Sequence, residues 1–325
     1  MSEMWSRREF VRRLLALSVA GVALSAGGCS PSQLATREAG KTPVPEQSAA
    51  VTGVVDVAVA HGPDADPAEL TRRAIAALGG IEKFVKKGDD VIVKPNICTA
   101  AHTYEYAATT NPEVVGAIVA LCVAAGAKRV RVMDAPFSGT PQQAYERSGI
   151  AKAVGEAGGV MEVMSPVKYK DTPIPEGKDI KSWPIYQEIL EADVLIDVPI
   201  AKHHSLARLT LAIKNLMGVI NPRGRSRLHR NLHQRLADLA TVIRPTLTIV
   251  DAVRILTAHG PTGGNLDDVK KMDTVIASAD MVAADAYATT LFDKQPSDIG
   301  YIVKAAEMGL GRMDLDALRI ERIAL

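Results

Sequence analysis

The sequence predicts an α/β fold: a mostly parallel sheet with helices on both faces, built as a single mature domain. Three observations predict it. Short β-branched runs alternate with helical patterns along the chain, the clearest runs are apolar enough to be buried, and no internal repeat interrupts the alternation.

The elements follow in order. Val54 to Ala60 reads as a strand, and Pro67 to Leu78 as a helix with Asp66 at its N-cap. Val91 to Asn96 is a buried strand ending in a polar turn. Asn111-Pro112-Glu113 opens a helix to Ala125, with proline at its first position, where the missing N–H costs nothing. Val130 to Asp134 is a third strand, with helical patterns after it at Gln142 to Arg147 and Ile150 to Ala157. A Pro- and Lys-rich connection, Ser165 to Trp183, leads to Ala192–Ile200, which reads as a central strand. Thr246 to Ala252 and Thr274 to Ser278 are two further strands. Helices are expected at Leu232–Ile243, Met281–Leu291 and Asp298–Met308.

In such sheets ligands sit beyond the carboxyl ends of the strands. The residues just past those ends are Lys94 and Asn96, Asp134, the run Lys202-His203-His204, and Asp251.

The bulk numbers set outer bounds. The chain has 325 residues, 47% hydrophobic and 23% charged, which is ordinary globular composition with enough length for a large core. Aromatics at 4% supply little surface for stacking bases or sugars. The three cysteines, Cys29, Cys98 and Cys122, form no C-x-x-C pair, so they are not a zinc or ferredoxin-type ligand set. A Cys98–Cys122 disulfide would be chemically allowed in an oxidising compartment.

The first residues read as an address. Ser6-Arg7-Arg8-Glu9-Phe10-Val11 precedes an uncharged run from Leu14 to Gly28, which is the twin-arginine export pattern and shorter than the ~20 apolar residues of a spanning helix. Small residues, Ala26-Gly27-Gly28, stand directly before Cys29 as in a lipoprotein cleavage site, so Cys29 is the expected lipidation point. The expected organisation is a signal peptide at 1–29, a flexible Pro-, Ser- and Ala-rich linker at 30–52, and the α/β domain at 53–325. The expected partners are the export machinery and, through the lipid, the membrane on its periplasmic face.

The charge is balanced overall at +1 but segregated locally. Between Asp197 and Asp238 there is no acid, where average composition would place about four or five. The same window holds Lys202, Arg208, Lys214, Arg223, Arg225, Arg227, Arg230 and Arg235, with four of the seven histidines. A site for a carboxylate or phosphate needs cations and amide donors. Lys94, Lys202 and Lys214, with Asn96 and Asn215, supply both. A nucleic-acid patch would use the same cations but lacks aromatics, so no nucleic-acid partner is expected. A solvated basic face against anionic lipid is the third reading.

His229 and His233 are four apart and on one helix would share a face, a spacing that can hold a metal ion. His203 and His204 are adjacent, so in extended backbone they point to opposite faces and one at most enters a site. Asp251, at a strand end, could orient a histidine, hold a metal or cap a turn. Gly260-Pro261-Thr262-Gly263-Gly264 is a turn able to offer backbone N–H groups to an anion.

Several motifs taken in order resemble one family. They are Val-Lys-Pro-Asn at 93–96, Thr-Asn-Pro-Glu-Val-Val at 110–115, Gly-Ala-Lys-Arg-Val at 126–130, Tyr-Glu-Arg-Ser-Gly-Ile at 145–150, and the block from Asp197 to Gly218. Thr-Ile-Val-Asp-Ala and Ala-Asp-Ala-Tyr-Ala-Thr-Thr-Leu-Phe follow. From about residue 53 onward the chain is similar to the bacterial and archaeal domain of unknown function 362. The resemblance implies no specific activity. Some members carry iron–sulfur modules, but three cysteines cannot make a four-cysteine cluster within this chain. Two places depart from the family pattern: Ile-Cys-Thr-Ala-Ala-His-Thr after Asn96, in place of a Trp-Asp-Arg type, and Asp293 where glycine is expected.

The reading is an exported enzyme acting on a small anion. Lys94, Asn96, Lys202, Lys214 and Asn215 bind it, and His203, His229 and Asp251 are the catalytic candidates. The alternatives are a metal- or ligand-binding protein using His229 and His233, and an iron–sulfur-linked redox accessory.

Overall fold

A computed structural model describes residues 54–325. The signal peptide, Cys29 and the linker expected at the N-terminus lie outside the described residues. Among the described residues no helix is long and apolar enough to cross a membrane.

The centre of the molecule is a ten-stranded mixed sheet. In chain order its strands are β1 (Val57–His61), β2 (Asp90–Pro95), β3 (Arg129–Val132), β4 (Val160–Met161), β7 (Val194–Val198), β8 (Ile200–His204), β9 (Arg208–Thr210), β10 (Leu247–Leu256), β11 (Val269–Ser278) and β12 (Ile320–Ala324). The missing numbers, β5 (Tyr169–Pro173) and β6 (Ser182–Tyr186), form a separate antiparallel hairpin. The main path runs β12-β1-β11-β10-β7-β2-β3-β4, with β8 branching from β10 to pair β9. The block β10-β7-β2-β3-β4 is parallel throughout. β11 runs antiparallel to both its neighbours, β1 and β10. The parallel core matches the expectation; the antiparallel wing was not foreseen.

Nine helices among the described residues cover the sheet: α1 (Pro67–Ala77), α2 (Pro112–Ala124), α3 (Pro141–Arg147), α4 (Ile150–Glu156), α5 (Gln187–Glu191), α6 (Ala212–Asn215), α7 (Leu232–Val242), α8 (Met281–Thr289) and α9 (Gly300–Glu307). Their starts obey local chemistry. Asp66 caps α1 by accepting from the N–H groups of Ala68 and Glu69 at 2.7 and 3.0 Å, ahead of Pro67. Asn111 and Asp280 cap α2 and α8 in the same way.

Alternation along the strands divides the interior in two. Val91 and Val93 of β2 face a core shared with Leu70, Ile75, Val114, Ile118 and Val154 from α1, α2 and α4. Ile92 faces a larger core built from α6 to α9, with Leu236, Leu239, Val282 and Ile302. Lys94 is two residues beyond Ile92 and so opens onto that second face. Going outward from β2, the chain runs to β3 and β4 on one side, while β7 and β10 lie on the other. The switch in direction falls between β2 and β7, where Lys94 and Asp197 are register partners.

Candidate functional site

A cavity of about 480 Å³ lies beyond the carboxyl ends of β2, β3 and β8. Its lining contains four cations, Lys94, Lys202, Lys214 and Arg225, against one carboxylate, Asp134, among the described residues. That carboxylate is already engaged: Asp134 Oδ1 lies 2.9 Å from Lys94 Nζ, both side chains buried, and its Oδ2 accepts from the Ile97 N–H at 2.7 Å. The site therefore presents uncompensated positive charge.

The three lysines are not equivalent. An ammonium has three protons to give and no acceptor. Lys94 Nζ donates to Pro95 O and Asn215 Oδ1, both at 2.8 Å, and lies in an ion pair with Asp134. Lys202 Nζ donates to Ala108 O at 2.6 Å, Asn96 Oδ1 at 3.0 Å and Pro261 O at 3.0 Å. Burial pulls its pKa down, against the opposing pull of Cys98 and Asp134. Both amines are ringed by oxygens. Lys214 is different: its hydrogen-bond contact among the described residues is the thioether of Met217 at 3.7 Å. With the side chain buried and the charge of Lys202 next in importance, its pKa falls to about 7.

Helix α6 delivers Lys214 and Asn215 together. Its first N–H groups, from Ala212 and Ile213, donate to the buried carboxyl of Asp285 in α8 at 2.6 and 3.0 Å. The buried core thus fixes the helix that carries the free amine. Asn215 then works as a hub. Its Oδ1 accepts from Lys94 Nζ and from Asn96 Nδ2 at 2.9 Å, and its Nδ2 donates to Asp197 Oδ1 at 2.8 Å. Asp197 is fully buried, and burial lifts its pKa to about 7 against the pull of Lys94 and Asn215.

Gly218 closes over this cluster. A Cβ there would overlap Asp134 Oδ1 and stand 2.5 Å from Lys94 Nζ, so a larger residue would have to push that pair aside.

The histidines sort differently from the expectation. Strand β8 alternates, so Lys202 and His204 share a face and both line the cavity. His203, the candidate proton carrier, is turned away, its Nδ1 accepting from the Gly260 N–H at 3.1 Å. His204 Nδ1 accepts from the backbone N–H groups of Leu206 and Ala207 at 3.1 and 3.2 Å. That fixes the proton on Nε2. Burial, and then the charges of Lys214 and Lys202, push its pKa down to about 3, so the ring is a neutral donor.

His229 lines the cavity mouth, but His233 does not join it. His229 lies in the last turn of a 3₁₀ segment, Pro222–Asn231, and the chain turns at Asn231 (φ −149, ψ 61) before α7 begins. The two imidazoles therefore do not share one helix face, and His233 packs near Tyr301 with ring centroids 6.3 Å apart. Among the described residues no three His, Cys, Asp or Glu side chains gather as a metal-holding group.

Asp251 also lies away from the cavity. It is fully buried and accepts from the N–H groups of Asn111 and Val253 at 2.7 and 3.0 Å, tying β10 to the start of α2. Burial still lifts its pKa to about 6. In the turn after His259, Pro261 O receives Lys202, and the Gly260 and Gly263 N–H groups are spent on His203 and His259 O. Cys98 and Cys122 are unpaired. Cys98 lines the cavity, its Sγ 3.6 Å from Pro261 O, while Cys122 sits inside α2 with burial pushing its thiol up to about 12.

Sequence reasoning weighed His204 against His203 but gave the role to His203, and it gave no role to Arg225 or Thr210. The period of two along β8 carried the signal for His204. Arg225 stood in the acid-free window, and its guanidinium now donates to Ala135 O at 2.9 Å while its Nε has no partner among the described residues. Thr210 Oγ1, also in the lining, is likewise buried without a partner. Unfilled buried donors of this kind are what a ligand satisfies.

Comparison with known proteins adds the family context. The pattern described as Domain of unknown function (DUF362) matches residues 91–290, which contain every lining residue of the cavity. The chain is 29% identical over 255 residues to "Thylakoid-associated protein sll1697" of Synechocystis sp., covering 74% of each protein. Among solved structures it is similar to the lactate racemase apoprotein of Thermoanaerobacterium thermosaccharolyticum, with 11% identity, TM-score 0.46, and coverage of 73% of this chain and 57% of that one. A Thermotoga maritima protein matches with 11% identity and TM-score 0.40, over 70% of this chain and 60% of that one. The chain thus spans less than two thirds of either solved chain.

Proposed function

Because this chain belongs to the DUF362 family, whose description assigns no activity, we propose a function from its own cavity: it is an enzyme acting on a small carboxylate or phosphate. The observation that carries this reading is the excess of cations in the lining, combined with one amine, Lys214 Nζ, that no oxygen among the described residues occupies. Lys94 and Lys202 supply field, since their protons are committed. Lys214, Arg225 Nε and Thr210 Oγ1 supply open donors, and His204 supplies a fixed Nε2–H. A group near neutrality is suited to move protons in either direction, and Lys214, at about 7, takes the role first expected of His203.

The Ser6-Arg7-Arg8 pattern and Cys29 support export and a lipid tether, so we propose that the enzyme works on the periplasmic face. The cyanobacterial relative is named for thylakoid association, and a tether would bring this chain to a membrane surface by its own route.

The test is titration calorimetry of the purified full chain with phosphate and a panel of short mono- and dicarboxylates. At least one should bind with 1:1 stoichiometry and compete with the others. If none raises thermal stability or releases heat, the anion-site reading is wrong.

A further inference from the structure

We propose that Lys214 is a nucleophile, and that the ligand of this cavity is a small oxo-carboxylate whose carbonyl carbon forms an imine with Lys214 Nζ. The proposal rests on the anion-site reading and deepens it by naming the substrate class and the bond.

Three features converge on it. The first is commitment of protons. Lys94 and Lys202 are each surrounded by three oxygens, whereas among the described residues Lys214 meets only a thioether. Met217 sulfur is a weak acceptor that does little to hold an ammonium. A buried amine beside other cations, with the nearby carboxylate of Asp134 spent on Lys94, sheds its proton most cheaply, and the neutral amine is the nucleophilic form. Its depressed pKa agrees with this geometry.

The second feature is a place for the carboxylate. The Arg225 Nε and Thr210 Oγ1 donors are unpaired and sit in the same lining. An anion held there by charge brings the adjacent carbonyl against the amine. A plain carboxylate or phosphate could only pair with Lys214; a carbonyl turns proximity into a bond.

The third is a donor for the carbonyl oxygen. His204 has its Nδ1 occupied by two backbone N–H groups, so its Nε2–H is the fixed donor of that ring in the lining. The step balances without oxidant or reductant. Nζ adds to the carbonyl carbon, both amine protons pass to the carbonyl oxygen, that oxygen leaves as water, and C=N replaces C=O. His204 hydrogen-bonds the departing oxygen and ends as it began.

The experiment is reductive trapping. The full chain is incubated with pyruvate and sodium cyanoborohydride, digested, and its lysines compared by peptide mass spectrometry, with acetone as the uncharged control ketone. Pyruvate should alkylate Lys214 at least about tenfold faster than any exposed lysine. Acetone should lose that selectivity, and labelling of Lys214 should rise as pH passes through 7. Labelling spread evenly over surface lysines, or absent from Lys214, while pyruvate still stabilises the protein thermally, would overturn the imine and leave the anion site intact. No labelling together with no stabilisation by pyruvate, phosphate or any carboxylate would overturn both.

Discussion

Lys94 and Asn215, 121 residues apart, hold each other in both directions: Lys94 Nζ donates to Asn215 Oδ1 at 2.8 Å, and Asn215 Nδ2 returns a bond to the Lys94 carbonyl at 3.3 Å. The pair joins β2 to α6 across the floor of the cavity. Asn215→Leu should leave a buried ammonium short of an acceptor and Asp197 short of its donor. We expect a loss of about 2–4 kcal/mol of stability, read as a lowered denaturation midpoint. A midpoint unchanged within error would show that the pair does not brace the fold.

Lys214→Met is expected to behave in the opposite manner. It removes a buried charge that no carboxylate balances, so stability should hold or rise by about 1 kcal/mol. Anion affinity should fall at least about tenfold, since a charge-assisted hydrogen bond is lost. Calorimetry with the tightest-binding anion checks it; undiminished affinity would remove Lys214 from the binding machinery.

The pH dependence carries the same signature. Lys214 titrates near 7 when folded and near its ordinary 10.5 when unfolded. Between those values the unfolded chain binds more protons, so this residue makes stability rise with pH from about 7 to about 10.5, with its full penalty below 7. The rise should be absent from Lys214→Met and so appear as the difference between the parent chain and that variant, measured by denaturation at several pH values. Simple anions should bind more weakly as pH climbs through 7, because the ammonium that attracts them is lost.

The adjacent histidines offer an internal control. His204→Ala should weaken anion binding and flatten any turnover, while His203→Ala should leave binding within a factor of about two. His204 is held neutral, so no step near pH 6 to 7 should trace to it. Imidazole proton shifts followed by NMR would expose a step if one exists.

Gly218→Ala tests the roof of the cluster. The added methyl must displace the Lys94–Asp134 pair, and we expect about 2–4 kcal/mol of destabilisation with loss of anion binding. A normally stable variant that binds anions as before would mean the backbone at 218 yields without cost.

Local chemistry made much of the fold legible. Asp66-Pro67 and Asn111-Pro112 announced helix starts, and Val91 to Val93 announced a central strand, because capping and burial act over a few residues. Strand direction is not written locally, so the antiparallel course of β11 was hidden. The β5–β6 hairpin was hidden too, since its exposed Lys170 and Asp171 read as a connection. At the site, the lack of acids announced the charge. It did not reveal that Lys94 and Lys202 would be ringed by oxygens and Lys214 left open, because that depends on oxygens from residues 95, 96, 108, 134, 215 and 261. Asp293 stands at φ 54, a backbone state glycine enters freely, which accounts for the glycine expected there.

Lys202 reaches three stretches of chain at once, through Asn96, Ala108 and Pro261. One side-chain nitrogen thereby does the work of a guy rope, mooring the segment after β2 and the turn after His259 to β8. A side chain shorter by one methylene would lose its hold on both together, so these two walls of the cavity are expected to loosen as one.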